Sequence, residues 1–313
     1  AEPDVTLALY VGESFAEVHL RDQNKTHSFH RWYLGKEGLR AGLTKILKDS
    51  GFQKLTKAIV ASRFPEKILS YRLGGSVAVL TTEGFESWPR SRQPFALKLA
   101  PLSSLDLHFS VSERISSNGD IEKEPSESEI ADIIEKLKLK QAKRVCIHFL
   151  NANKNSSNQE KVKAALLREN FEVFTPDGAP PEMDEAALWR RNILNASLCG
   201  TFSEVQEEIN LALQPYLSEG ERAIFLSGDG HRFDKECRYH LNSLWGASYA
   251  WAQNLKRSES FDIVYFGLEQ FCLLSPQNKT SYCQSPWGKV SNNRVQNHLL
   301  CLQPTTAIEL SMW

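Results

Sequence analysis

Two short stretches carry the residues from which phosphate chemistry could be built. They are Tyr10-Val11-Gly12-Glu13-Ser14-Phe15-Ala16-Glu17 and Tyr265-Phe266-Gly267-Leu268-Glu269-Gln270-Phe271-Cys272, and they begin 255 positions apart. A glycine between two apolar runs lets the backbone curl its N–H groups toward an anion, and two such loops facing one another can hold a nucleotide's phosphates. Gly12, Ser14 and Gly267 are the candidate phosphate contacts. Phosphoryl chemistry also needs a carboxylate beside the turn, to hold Mg²⁺ or to orient a water. Both copies carry a tyrosine there, Tyr10 and Tyr265. The competing reading is that the two rings fill the space of nucleotide and metal, burying apolar area worth ~25 cal/mol per Å².

Three residues are candidates for acid–base work: Glu17, at the end of the first stretch, and Asp229 and His231 in Gly228-Asp229-Gly230-His231. A turn with a solvated histidine is the preferred reading of the latter pair. His19, His108 and His148 fall on expected strands with no second ligand at metal spacing, so they are expected as core or sheet-surface histidines and no metal site is expected. Six cysteines show no Cys-x-x-Cys pair. Reduced, buried thiols are expected, with a Cys272 to Cys283 bridge across a hairpin as the alternative.

The elements that must position these groups follow from hydrophobic period and turn chemistry. Val5 to Val11, Phe15 to Leu20 and Ser28 to Tyr33 are expected as three antiparallel strands. Leu39, Leu43, Ile46 and Leu47 have helical spacing, and Gly51 stops that helix. Ala58 to Ala61 and Ser76 to Leu80 are short strands, the second entered through Gly74-Gly75. Ser126 to Glu129 has the form of a capping box ahead of a helix striped by Ile130, Ile133, Ile134 and Leu137. Val145 to Leu150 is a buried strand, and the four asparagines from Asn151 to Asn158 mark a loop. Glu182 to Leu198 and Ser203 to Tyr216 are expected as two helices, Ala223 to Leu226 as a strand, and Asp234 to Asn254 as a helix. Phe261 to Phe266 and Glu269 to Leu274 form the second strand pair. Strands alternating with helices give an α/β chain with mixed sheets flanked by helices.

At 313 residues the chain suits two lobes of roughly 150 residues each. The segment Thr175 to Pro181, with three prolines and a glycine, is the expected boundary, dividing 1–175 from 176–313. Lysine and arginine number 37 against 38 acids, so nothing in the charge favours a nucleic acid or an anionic membrane as partner. No apolar run approaches the ~20 residues of a membrane span. A reducing cytoplasm fits the cysteine usage.

The order of these pieces, with several short words, resembles the N-terminal half of the hydantoinase A and 5-oxoprolinase family. The words are Leu80-Thr81-Thr82-Glu83-Gly84-Phe85, Glu113-Arg114-Ile115 followed by Asn118-Gly119, and Pro181-Glu182 with Asn195-Ala196. The resemblance implies a two-lobed actin-like (ribonuclease H-like) ATPase fold, and a chain that stops at Trp313 well short of a full-length member. The family's first hairpin reads roughly Asp-x-Gly-Gly-Thr-Phe-Thr-Asp; Gly12 and Phe15 are kept, threonine and aspartate become Ser14 and Glu17, and the leading aspartate becomes Tyr10. Of the second, only Gly267 survives. The family's His-Gly-Thr-Thr stretch falls on Val60-Ala61-Ser62-Arg63. Glu83 and Glu113-Arg114 lie in shared words, as a structural ion pair or as site residues. The expectation is a catalytically degenerate relative, a binding, scaffold or regulatory protein needing no cofactor, with a partner protein or hetero-oligomer subunit. The alternative is an ATP-dependent cyclic amide hydrolase of the hydantoinase/5-oxoprolinase type, or its subunit, with residual ATP and Mg²⁺ binding.

Overall fold

The computed structural model describes residues 5–12, 14–22, 27–70, 73–88, 105–176 and 185–226, residue 232, and strands at 263–266, 271–275, 282–285, 288–291 and 298–302. They fall into two compact units, one of Ala1–Leu73, Leu198–Ser285 and Arg294–Trp313, the other of Gly74–Ser197 and Pro286–Asn293. Each unit draws on separate stretches of chain, so compactness does not follow a single boundary at 175/176.

In the first unit, β1 (Thr6–Val11), β2 (Phe15–Arg21) and β3 (His27–Tyr33) form the expected antiparallel meander. β1 and β2 bury alternate residues, so Leu7, Leu9 and Val11 with Ala16, Val18 and Leu20 line one face. β4 (Lys57–Ser62) runs parallel to β1, and β11 (Ile224–Phe225) parallel to β4, giving the order β11-β4-β1-β2-β3. The parallel step from β3 to β4 is made through two helices, α1 (Leu34–Glu37) and α2 (Leu39–Asp49), and a third, α3 (Phe64–Ser70), follows β4. Leu43 and Leu47 of α2 pack into the same core as the β1 and β2 leucines. This unit also holds β12 (Ile263–Phe266), β13 (Phe271–Ser275), β14 (Tyr282–Ser285) and β16 (His298–Leu302), and β15 (Gly288–Ser291) precedes the last of these in the chain. β12 and β13 pair antiparallel, the second strand pair expected from sequence. Strand β16 lies between β13 and β14, so Cys272 stands opposite Cys301. Two strand spacings, roughly 9–10 Å, separate Cys272 from the strand of Cys283, which corrects the bridge considered between them.

The second unit is built on β5 (Val77–Thr82), β6 (His108–Val111), β9 (Arg144–His148) and β10 (Glu172–Phe174), all parallel in the order β10-β9-β5-β6. Every residue of β5 is buried, as a parallel strand covered on both faces requires. Ala78 and Leu80 meet α4 (Glu127–Leu139) and α5 (Ser157–Arg168) through Ile130, Ile133, Leu137, Val162 and Leu166. A small antiparallel ribbon, β7 (Arg114–Ile115) and β8 (Ile121–Lys123), stands beyond β6. The Ser126 hydroxyl caps α4 by accepting from Glu129 N at 3.2 Å. The reciprocal half of the expected capping box is replaced: Glu129 Oε1 accepts from Ser112 N at 2.8 Å and ties the helix to the strand end.

The two helices expected over 182–216 are one, α6 (Glu185–Leu213). Gly200 and Thr201 suggest a break, and glycine inside a helix costs about 1 kcal/mol. Packing overrides that cost: residues 191–198 are buried without a stripe, and Thr201 Oγ1 donates to Leu73 O at 2.7 Å. A Cβ at Gly74 would stand 1.9 Å from Ser197 O, so only glycine allows this approach of chain to helix.

Candidate functional site

The first glycine hairpin is closed by its own backbone. Gly12 N donates to Phe15 O at 2.8 Å, and Leu34 N donates to Ser14 O at 2.8 Å. The N–H expected to face an anion at Gly12 is therefore spent within the turn. The conformational argument for Gly12 also changes, because close approach selects it: an added Cβ would lie 3.0 Å from Phe15 O and 3.4 Å from Tyr10 Cε1. The Tyr10 ring thus lies against the turn.

Strand register sets the side chains around it. Tyr10 pairs with Glu17, and Glu17 in turn pairs with Arg31 on β3. Arg31 Nε is 3.3 Å from Glu17 Oε1, and its guanidinium carbon sits 4.4 Å above the centre of the Phe15 ring. Phe15 meets Tyr33 with ring centres 5.5 Å apart. Glu17 is thus held by a cation on one side and faces a tyrosine on the other. Arg63, where the family resemblance puts a threonine, is fully buried, and its N–H donates to Val11 O at 2.8 Å.

Gly12, Ser14 and Glu17 are the candidates that share one hairpin. In the second hairpin the register places Tyr265 opposite Cys272 and Phe266 opposite Phe271. Gly267, Asp229 and His231 lie outside the described residues, as does the helix expected at 234–254. Among the described residues no group of three or more His, Cys, Asp or Glu could hold a metal ion, and no helix is long and apolar enough to cross a membrane.

A second polar centre, at the C-terminal ends of the parallel strands, was only partly legible in the sequence. Glu113 is 2% exposed there. Thr82 Oγ1 donates to its Oε1, and Asn158 Nδ2 donates to its Oε2 at 2.9 Å. Thr82 Oγ1 in turn accepts from Leu150 N at 2.9 Å. Burial pushes the Glu113 carboxyl up, opposed by those hydrogen bonds and by Arg114. Of its two expected roles Glu113 takes a structural one, as a latch between strand ends. Its partner in that role is the hydrogen-bond pair Thr82 and Asn158. Glu83 is exposed and accepts from Ser112 Oγ at 3.1 Å. Asn158, expected in a loop, is buried in α5, while Asn151 and Asn155 donate to Ile115 O and Gly119 O at 2.9 and 2.8 Å. Asn151 N donates to Glu185 Oε1 at 2.7 Å, and burial raises that carboxyl too.

On the opposite face of the sheet His148 is fully buried and stacks on Trp189, ring centres 5.4 Å apart at 7°. Asn192 Nδ2 lies 3.1 Å from His148 Nε2 and donates to Phe174 O at 3.0 Å. An amide nitrogen can only donate, so Nε2 accepts and the ring hydrogen sits on Nδ1. Burial, with His108 nearby, lowers the imidazole to about 3. His148 is therefore a neutral core histidine, and Cys146 beside it is a buried free thiol.

The shared words at Leu80–Phe85 and Glu113–Gly119 therefore lie at the ends of β5 and β6, where they brace one another. Residues 36–170 match the hydantoinase/oxoprolinase N-terminal region. The first hairpin precedes that span. An uncharacterised protein of Methanocaldococcus jannaschii is 32% identical over 132 residues, covering 39% of this chain and 19% of that protein. Among solved structures, the nucleotide-free acetone carboxylase from a study of ATP-dependent acetone carboxylation aligns with TM-score 0.73 and 14% identity over 96% of this chain and 48% of that one. An ATP-dependent caprolactamase from Pseudomonas jessenii aligns with TM-score 0.71 and 17% identity over 93% of this chain and 47% of that one. The hydantoinase/oxoprolinase-like chain thus has the actin-like ATPase fold expected from its sequence, and it spans about half the length of these structures.

Proposed function

We propose that the chain keeps an actin-like ATPase fold without ATP chemistry and acts as a binding or regulatory protein. The observation that carries this reading is the engagement of Glu17 by Arg31 at 3.3 Å with Tyr10 as its register partner. A Mg²⁺–nucleotide site needs anionic oxygen ligands, and among the described residues of this hairpin the one carboxylate, Glu17, is already bound to a guanidinium and faces a phenol. Gly12 spends its N–H on Phe15. The described residues of this hairpin do not fit a nucleotide and its metal, and no catalytic step is derived through them. A protein partner and a cytoplasmic setting belong to this reading as well. Its test is a melting curve at millimolar Mg-ATP or Mg-ADP. A ligand at a hundred times its Kd stabilises by about 2.7 kcal/mol, so an unshifted curve supports the reading and a shift of several degrees opposes it.

A second reading has two observations in its favour. The span matching the hydantoinase/oxoprolinase N-terminal region covers 36–170, and the two solved structures of like fold are of ATP-dependent enzymes by name. On this reading the chain is an ATP-dependent cyclic amide hydrolase or a subunit of one. ATP-coupled opening of hydantoin or 5-oxoproline by the purified chain would establish it in place of the first.

A further inference from the structure

β3 is the last strand of its sheet, and no described strand pairs with its outer side. The hydrogen bond from Leu34 N to Ser14 O continues the β2–β3 ladder and sets its phase. In an antiparallel pair, bonded and non-bonded residues alternate, so Trp32, His30 and Ser28 turn their backbone groups toward β2. Phe29, Arg31 and Tyr33 turn theirs outward. The same residues place their side chains on the open face of the sheet, where Phe29 is 54% and Tyr33 52% exposed. An edge of this kind is a template for another strand, and proteins commonly guard it with charge. Here the guard is Arg31.

We propose that two copies of this chain associate by antiparallel addition of β3 to β3 about a twofold axis at His30. The interaction is isologous, and it joins two five-stranded sheets into one. Register and charge single out this axis among the three that pair outward-facing residues over at least five positions of β3. An axis at Arg31 sets that cation against the partner's Arg31, a like-charge pair, and overlaps only five residues of each strand. An axis at Phe29 likewise overlaps five. The axis at His30 pairs all seven residues of β3 and brings each Arg31 opposite the partner's Phe29, where a guanidinium over an aromatic face is attractive. Arg31 already sits over the Phe15 ring in this way, so the partner's ring extends an existing arrangement. The edge guard is thereby converted into a matching contact. This inference does not depend on whether the chain binds nucleotide.

Sedimentation velocity on the full chain from about 1 to 100 μM tests it, with two opposed substitutions at one exposed position. The wild type is expected to show a concentration-dependent dimer. Phe29→Lys sets two lysines against two arginines and is expected to weaken the dimer about tenfold, while Phe29→Glu sets carboxylates there and is expected to leave it as tight or tighter. Amide exchange at Phe29, Arg31 and Tyr33 is expected to slow as concentration rises. A wild type that stays monomeric throughout, equal effects of the two substitutions, or exchange at these amides that ignores concentration would each overturn the proposal.

Discussion

Tyr10 and Glu17 stand directly opposite one another across the β1–β2 ladder, and Glu17 reaches past that pair to Arg31 at 3.3 Å. By the family resemblance these are the two acid positions of the hairpin. The register shows them to be a single facing pair, a phenol opposite a carboxylate that has a cationic partner.

Placing an acid at position 10 should therefore harm the hairpin without conferring ATP turnover. In Tyr10→Asp the new carboxylate faces Glu17, and like charges directly opposite cost roughly 0.2–1 kcal/mol, to which loss of the ring against Gly12 adds. A lower urea midpoint with no phosphate release from Mg-ATP is expected. By contrast Glu17→Gln should shift the midpoint little, since the ion pair is largely solvent-facing and such pairs are worth ~0–1 kcal/mol.

Removal of the Glu113 carboxylate is expected to be far more costly than its exposed neighbour's. Glu113→Ala removes the acceptor of the Thr82 O–H and of one Asn158 N–H in a buried site, at about 1–3 kcal/mol for each donor left unsatisfied, although Thr82 Oγ1 still accepts from Leu150 N and Asn158 Nδ2 still donates to Lys123 O. Glu113→Gln keeps one acceptor and should cost less. Glu83→Ala, at an exposed position, should stay within about 0.5 kcal/mol of wild type. Chemical denaturation of the three variants gives the order directly.

Acid stability should report His148. Its imidazole titrates near 6.5 when unfolded and about 3 when buried, so the folded state binds fewer protons between those values. Stability from this group is complete above the unfolded value and is lost as pH falls through the window. At 1.36 kcal/mol per pH unit the full loss is on the order of 5 kcal/mol. The raised Glu113 and Glu185 carboxyls act with the opposite sign, favouring the fold as they take up protons below their folded values. His148→Gln, which can still accept from Asn192, should flatten the decline between pH 6.5 and 4 in melts across pH. An unchanged slope would contradict the assignment.

The strands and helices with clear period were legible in the sequence, because alternation of Leu7, Leu9 and Val11 or the stripe of Ile130, Ile133 and Leu137 is imposed by one buried face. The continuity of α6 was not: the stretch 191–198 is buried all round, its Arg191, Asn192, Asn195 and Ser197 included, so no exposed face carries the helical period across Cys199 and Gly200. β6 and the β7–β8 ribbon are too short for any period to declare them. At the candidate site the residue types were visible and their alliances were not. Glu17 and Arg31 are distant in sequence and become neighbours only through the register of β2 on β3. Likewise, nothing local joins Glu113 to Asn158, since the bond spans three strand ends and a helix start. The shared words were a usable signal for Glu113; for Asn158 four nearby asparagines pointed to a loop instead.

The most direct test of the central claim is phosphate release from millimolar Mg-ATP by the purified chain, beside its Glu17→Ala variant. No release above the protein-free rate, in either protein, is the result the Tyr10–Glu17–Arg31 arrangement requires. Turnover by the wild type that Glu17→Ala abolishes would show that the carboxylate still serves a nucleotide, and would contradict the account.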